Sequence, residues 1–179
     1  MILPMKEVIY GLREHYKNAD KAERVIIENA AVAAGANVIG GWIPVLAIPA
    51  AITACIGAVW VLYGRLCSTL GISLKGNLMK LLARAAVANI GANLTGALIA
   101  ILIPMFIPGA SAAASAVLGF CVVYIAGQIF LNFVLKMAKK SSNPYSFDDI
   151  SEREMQDTVR NNSVSTDDLK QARESFSKR

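Results

Sequence analysis

The feature that most constrains this chain is a run of 51 residues, 85–135, that contains no Asp, Glu, Lys, Arg or His. A second uncharged run of 36 residues, 29–64, precedes it. A helix that crosses a bilayer needs only about 20 apolar residues. The longer run therefore has room for two crossing helices, and the shorter run has room for at least one. The sequence predicts that lipid, and not water, surrounds much of these two segments.

The charges of the chain lie at the borders of the uncharged runs. Residues 1–28 are neutral overall, residues 65–84 carry four basic groups and no acid, and the tail 141–179 is net acidic. Basic groups that flank apolar segments are typical of the cytoplasmic side of a membrane protein, which places both termini in the cytoplasm. A net charge of +5 could attract nucleic acid or a membrane surface, and the distribution of the charges favours the membrane surface. The expected membrane-interface basic residues are Arg65, Lys75, Lys80, Arg84, Lys136, Lys139 and Lys140.

Hydrophobic periodicity and chain breakers predict an all-α fold, a membrane protein of two helical hairpins. Apolar residues recur at three- and four-residue steps from Met5 to Ile26, which predicts one amphipathic helix over 5–34. Gly and Pro breaks separate three further apolar helices, over 45–64, 77–103 and 111–139. Ser151 and Ser165 have capping-box spacing, which predicts short helices near 151–160 and 167–176, with disorder as the alternative. The expected segments are an amphipathic charged N-terminal helix segment 1–28, a first apolar hairpin region 29–64, a basic cytoplasmic connector 65–84, a second apolar hairpin 85–140 and a polar tail 141–179, partly helical or disordered.

The two apolar hairpins resemble each other in the order of their features. The tetrapeptide at 30–33 recurs at 85–88, the tripeptide at 35–37 recurs at 91–93, and each half contains a Pro-containing break. An internal repeat of this kind is common in membrane proteins. Shared Ala and Gly composition is the alternative explanation. The sequence leaves open whether the hairpin tips cross the bilayer or form re-entrant turns, and whether the first helix lies along the membrane surface.

The sequence offers no recognisable catalytic or metal-binding pattern. Between Glu28 and Asp148 there is no acid, and the single histidine, His15, lies in a charged segment without a second ligand. The three cysteines are widely spaced and form no CxxC motif. We therefore expect no enzymatic activity, no cofactor and no bound metal.

Amides and small residues inside the apolar segments are the best candidates for a functional role. Asn89 and Asn93 lie one helical turn apart, as do Gln128 and Asn132. Because an amide that faces lipid is costly, these side chains should face protein or water. One hypothesis is interhelical hydrogen bonding worth about 1 kcal/mol per contact, and the other is the lining of an oligomeric pore. Together with members of the small-residue stripes, the helix-packing or pore-lining candidates are Asn89, Asn93, Gln128, Asn132, Gly96, Ser111, Ser115 and Gly119.

Residues 20–138 resemble a bacterial domain family of unknown function. The resemblance lies in a Gly/Pro-rich tip, a helix that closes on Leu62-Tyr63-Gly64, and Ile103-Pro104 and Pro108-Gly109 before a small-residue helix. That family consists of GTPase-associated hydrophobic helical domains and includes the YcjF-like inner-membrane proteins. The resemblance implies a helical module of the bacterial inner membrane that responds to a GTPase partner. It implies no catalytic residues.

These features favour a non-enzymatic integral membrane protein that self-associates into an oligomeric assembly, with a pore or channel as its most specific form. One alternative is a membrane anchor or adaptor that recruits a cytosolic partner, such as a GTPase, through the N-terminal helix or the C-terminal tail. A second alternative is a water-soluble bundle that inserts into membranes on demand. The expected partners are the lipid bilayer and further copies of the chain, without nucleic acid.

Overall fold

A computed structural model confirms that the chain is all-helical. It describes residues 2–40, 47–102, 111–147, 150–161 and 164–178, with side chains over 2–36, 56–76, 78–92, 113, 116–147, 150–155, 157–159, 161 and 164–178. In this part of the chain, β-type pairing is confined to a single bridge between Ser73 and Ser146. The described helices are α1 (Met5–Leu12), α2 (Ala19–Gly40), α3 (Ala47–Leu70), α4 (Gly76–Leu102), α5 (Ser111–Lys140), α6 (Glu152–Arg160) and α7 (Thr166–Ser177).

Helix α5 forms the centre of the bundle. All six other helices contact it, and every residue from Gly119 to Leu135 is buried. A helix that is apolar on all sides must be surrounded either by protein or by lipid. Here residues 119–135 of α5 are surrounded by protein, although they belong to the longest uncharged run of the chain.

Helices α2 and α3 are held on α5 by close contacts near Gly127. Ile26 of α2 packs so closely on Gly127 that a Cβ atom there would lie 2.7 Å from Cγ1 of Ile26. On the neighbouring side, the hydroxyl of Tyr63 donates a hydrogen bond of 3.0 Å to the carbonyl oxygen of Ala126. The ring of Tyr63 also stacks on Phe130, with 4.4 Å between centroids. These contacts fix the height of both helices along the bundle axis.

The single amphipathic helix predicted over 5–34 is wrong, because the chain turns at residues 13–18 and forms α1 and α2 instead. The turn contains Tyr16, which is buried and donates its hydroxyl hydrogen to the carbonyl oxygen of Pro144. It allows α1 and α2 to contact α5 separately, with Gly11 of α1 against Leu135. The apolar residues whose spacing predicted that helix all lie in the core: Met5, Val8, Ile9, Leu12, Tyr16, Ala19, Ala22 and Ile26.

The segment 65–84, expected as a basic connector within which the helix over 77–103 begins, is mostly helical. Helix α3 continues to Leu70 because Leu66, Cys67 and Leu70 extend its buried face. Gly71 then adopts a positive φ of 72°, and the N–H of Ile72 donates to the carbonyl oxygen of Cys67 at 2.8 Å. This is a Schellman motif, in which glycine provides the left-handed residue that ends a helix. Only residues 71–75 link α3 to α4.

The C-terminal tail folds back on the bundle as two helices, as the capping boxes predicted. The Ser151 hydroxyl accepts a hydrogen bond from the N–H of Glu154 at the start of α6. At the start of α7, Ser165 and Asp168 form a complete capping box. α6 packs on α4 and α5, and α7 packs on α5. The apolar residues that these helices bury are Met155, Val159, Leu169 and Ala172.

The helices of the two predicted hairpins differ in how far they are buried. α2 contacts α3, and α4 contacts α5, as a hairpin arrangement requires. However, α5 is buried on all sides over residues 119–135, whereas α3 keeps one face exposed. The predicted tips at 41–46 and 103–110 lie outside the described residues. The internal repeat and the membrane hairpin arrangement therefore stay predictions.

Candidate functional site

The two polar residues in the middle of α5 contact other segments of the same chain. Asn132 accepts a hydrogen bond of 3.0 Å from the N–H of Leu3 and donates one of 2.9 Å to the carbonyl oxygen of Gln128. Gln128 donates to the side chain of Gln171 on α7 at 3.0 Å. Both amides are buried, and Oε1 of Gln128 has no hydrogen-bond partner in the described part of the chain. These contacts are of the helix-packing kind, because they attach the N-terminal segment and α7 to α5.

Asn89 also binds a neighbouring helix. Its Nδ2 donates to the carbonyl oxygen of Val159 on α6 at 2.6 Å, and the side chain is buried. Among the small-residue candidates, Gly119 lies buried in α5. The remaining candidates lie in helices, and their surroundings fall outside the described side chains: Asn93, Gly96, Ser111 and Ser115.

Along α2 and α3, the exposed surface of the bundle changes from charged to uncharged residues at one ion pair. Arg65 of α3 contacts Glu28 of α2 at 3.1 Å, and Arg24 contacts the same carboxylate at 2.9 Å. The two arginines, Arg24 first, hold the pKa of Glu28 below its usual value. Val32 lies one turn after Glu28, and Val61 lies one turn before Arg65. Since successive helices with a short link run antiparallel, both valines lie on the same side of the ion pair.

These valines are exposed, and no charged residue follows them on α2 or precedes them on α3. Val32 is 70% exposed and Val61 is 53% exposed. Trp60, beside Val61, is 40% exposed. We call Val32, Trp60 and Val61 the apolar patch. The other exposed described residues beyond Val32 on α2, before Trp60 on α3 and after Arg84 on α4 are also uncharged: Gly35, Ala36, Gly57, Ala88 and Ala92.

Three basic residues border the apolar patch. The Nζ atom of Lys80 on α4 lies 5.3 Å from the centre of the Trp60 ring, within the range of a cation–π interaction. Arg84 is exposed one turn further along α4, and Arg65 occupies the α3 side. We call Arg65, Lys80 and Arg84 the basic rim. These three residues are among the seven basic residues expected at a membrane interface, which stays a prediction. The exposure of Trp60 and the two valines beside them was not predicted from the sequence.

The other predicted interface residues lie toward the opposite end of the bundle. Lys136, Lys139 and Lys140 are exposed near the end of α5, and Lys140 pairs with Glu154 of α6 at 3.3 Å. Lys75 is exposed in the link between α3 and α4. These basic residues therefore do not join the rim in one continuous group.

One helical segment in the described residues, Ala116–Lys140, is long and apolar enough to cross a membrane by length and composition. The two uncharged runs were expected to have room for at least three crossing helices. The most apolar window of Ala116–Lys140 is 89% buried inside the protein. Core helices of water-soluble proteins meet the same criterion, so this helix alone is weak support for membrane association.

The described residues show no group of three or more His, Cys, Asp or Glu side chains that could hold a metal ion. Burial raises the pKa of the Cys67 thiol to about 12, so it stays protonated and unreactive near neutral pH. The prediction that the protein is not an enzyme stays a prediction.

Comparisons with protein-family models, with curated proteins and with solved structures find no match for this chain. The resemblance to GTPase-associated helical domains therefore stays a prediction that rests on the sequence motifs alone.

Proposed function

We propose that this protein is a non-enzymatic, membrane-associated helical bundle that inserts its uncharged end into lipid and keeps its charged end in water. The observation that carries the proposal is the change of the exposed surface at the Glu28–Arg65 ion pair. On one side the exposed surface includes many charged side chains. On the other side, the exposed residues of α2 and α3 are valine, tryptophan, alanine and glycine, and α4 adds Lys80 beside Trp60 and Arg84 one turn further along. A patch of exposed apolar residues on a soluble monomer would be unfavourable, and it is typical of a surface that contacts lipid or another protein.

The lengths of the uncharged helix ends fit a bilayer. In α3, residues 47–64 carry no charge and span about 27 Å, and residues 85–102 of α4 span the same length at about 1.5 Å per residue. The hydrocarbon core is about 30 Å thick. Because α5 is enclosed by the other helices, the lipid contacts would come from the outer faces of α2, α3 and α4. Helix α5 would act as the central support of the inserted end.

Outward-facing glycines support self-association as an extension of this proposal. A Cβ atom added at Gly35, Gly57 or Gly91 would meet nothing within 4 Å, in contrast to Gly127. In lipid, small residues on a helix surface let a second helix approach closely. A homo-oligomer is therefore the second candidate. Because Gln128 and Asn132 bind groups of their own chain, a pore in such an assembly would require other lining residues. Recruitment of a cytosolic partner stays a prediction.

Insertion is tested by placing single fluorescent probes in a variant without the native cysteines. Val32→Cys and Val61→Cys place the probe on the apolar patch, and Lys21→Cys is the matched control at the charged end of α2. With reconstituted vesicles, we expect lipid-borne nitroxides to quench the probes at 32 and 61, and an aqueous quencher to act on the probe at 21. Equal access of the aqueous quencher to all three probes, with protein that stays monodisperse without lipid or detergent, would contradict the proposal.

A further inference from the structure

We propose that the basic rim and Trp60 form a docking surface that selects anionic lipid headgroups. This inference rests on the proposed membrane association and adds a chemical preference and an orientation to it. The rim residues Arg65, Lys80 and Arg84 lie beside the apolar patch on adjacent helices, α3 and α4. A surface that enters the bilayer at the patch would bring these three cations to the level of the headgroups.

Trp60 supports a position at the boundary between hydrocarbon and headgroups. Tryptophan is enriched there because its ring is apolar and its N–H remains able to donate a hydrogen bond. Trp60 is 40% exposed, and Lys80 lies over its ring at 5.3 Å. The lysine can extend along the ring toward water while its methylene groups cover apolar surface. The pair thus combines an interfacial anchor with a positive charge.

The charge of this side of the bundle complements an anionic membrane. From Arg24 onward, α2, α3 and α4 contain one acid, Glu28, and it is shared by Arg24 and Arg65. With Lys80 and Arg84 included, this cluster of five residues carries a net charge of +3. Juxtamembrane basic residues are attracted to anionic lipids by about 1 kcal/mol each.

The opposite charge lies on the tail helices. α6 and α7 together carry six acids and four bases, a net charge of −2. An anionic surface would therefore attract the side formed by α2, α3 and α4 and repel the side formed by α6 and α7. The bundle should dock with the apolar patch first and with α6 and α7 turned away from the headgroups.

The experiment compares binding of the full chain to vesicles of phosphatidylcholine alone and of phosphatidylcholine mixed with phosphatidylglycerol, measured by flotation. The test variant is the triple substitution Arg65→Gln, Lys80→Gln and Arg84→Gln. The control variant, Lys6→Gln, Lys17→Gln and Lys21→Gln, removes the same charge at the other end, where all three lysines are exposed. We expect the wild type and the control to prefer anionic vesicles. The rim variant should lose affinity for them by about fivefold per removed charge, hence about a hundredfold for three charges, and keep its binding to neutral vesicles.

The outcomes separate this inference from the proposed function. Binding to neither type of vesicle overturns both. Equal binding of the wild type to neutral and anionic vesicles overturns the headgroup preference only. An equal loss in both triple variants also overturns it, because the effect would then depend on net charge and not on the rim.

If circular dichroism shows that the rim variant does not fold, the test is instead how vesicle binding of the wild type depends on salt concentration. Between about 0.01 M and 1 M salt the screening length falls from about 30 Å to 3 Å. The preference for anionic vesicles should disappear over this range, and a preference that persists at 1 M salt would overturn the inference.

Discussion

Replacing Gly127 with alanine tests the packing of α2 on the central helix. A Cβ atom at this position would lie 2.7, 2.8 and 2.9 Å from three side-chain carbons of Ile26. Ile26 is β-branched and completely buried, so it has little freedom to rotate away. Alanine gains about 1 kcal/mol over glycine in a helix interior, and overpacking a core costs about 1–3 kcal/mol. We therefore expect Gly127→Ala to lower the free energy of unfolding by up to about 2 kcal/mol.

The measurement is urea unfolding in mild detergent, followed by circular dichroism. Gly64→Ala in α3 is the matched control, because a Cβ atom there would meet nothing within 4 Å. The control should raise stability by about 0.5–1 kcal/mol through helix propensity alone. An equal gain in stability for Gly127→Ala would refute the close contact between α2 and α5.

A double-mutant cycle isolates the contact itself. Ile26→Ala alone should cost about 2–5 kcal/mol, because it leaves a cavity in the core. Once the isoleucine is removed, Gly127→Ala should no longer destabilise the protein and should fill part of that space. We expect a coupling energy of about 1 kcal/mol or more, and strict additivity would contradict the described packing.

Three further changes have measurable outcomes. Ser165→Ala removes the capping box of α7 and should lower stability by about 1 kcal/mol in the same urea assay. Asn132→Ala removes the hydrogen-bond partner of the Leu3 N–H in a part-buried site; it should cost about 1 kcal/mol and speed amide hydrogen exchange in the N-terminal segment. Because Arg24 and then Arg65 lower the pKa of Glu28, its ion pairs stabilise the fold above the unfolded-state pKa, and this contribution is lost as the pH falls through the lowered value. Glu28→Gln should abolish that acid-dependent loss, and NMR titration of the carboxylate should give a midpoint below the ordinary glutamate value.

Much of the helical architecture follows from local sequence. The capping boxes at Ser151 and Ser165 predicted α6 and α7, and the apolar residues whose spacing from Met5 to Ile26 predicted a helix all lie in the core. The turn at 13–18 could not be predicted from that spacing, because Tyr16 keeps the same buried role in a turn as in a helix. It was decided by contacts far along the chain, with Pro144 and with α5.

The candidate site was predictable only in part. Glu28 and Arg65 border the uncharged run 29–64, but their pairing was not predicted from the sequence. The exposure of Val32, Trp60 and Val61 depends on which face of each helix turns toward α5. Both faces of these helices are apolar, so the spacing of apolar residues does not show which face is buried against α5.

The sequence by itself determined that the charges are kept away from two long segments, and it predicted helices within them, because charge and helix periodicity are local properties of the chain. Only the tertiary structure decided which apolar helix is enclosed by protein. Composition is the same for a helix in a protein core and a helix in lipid, and the difference lies in the neighbours. For α5 those neighbours are six helices of its own chain, brought together by contacts such as Ile26 on Gly127 that join residues distant in sequence.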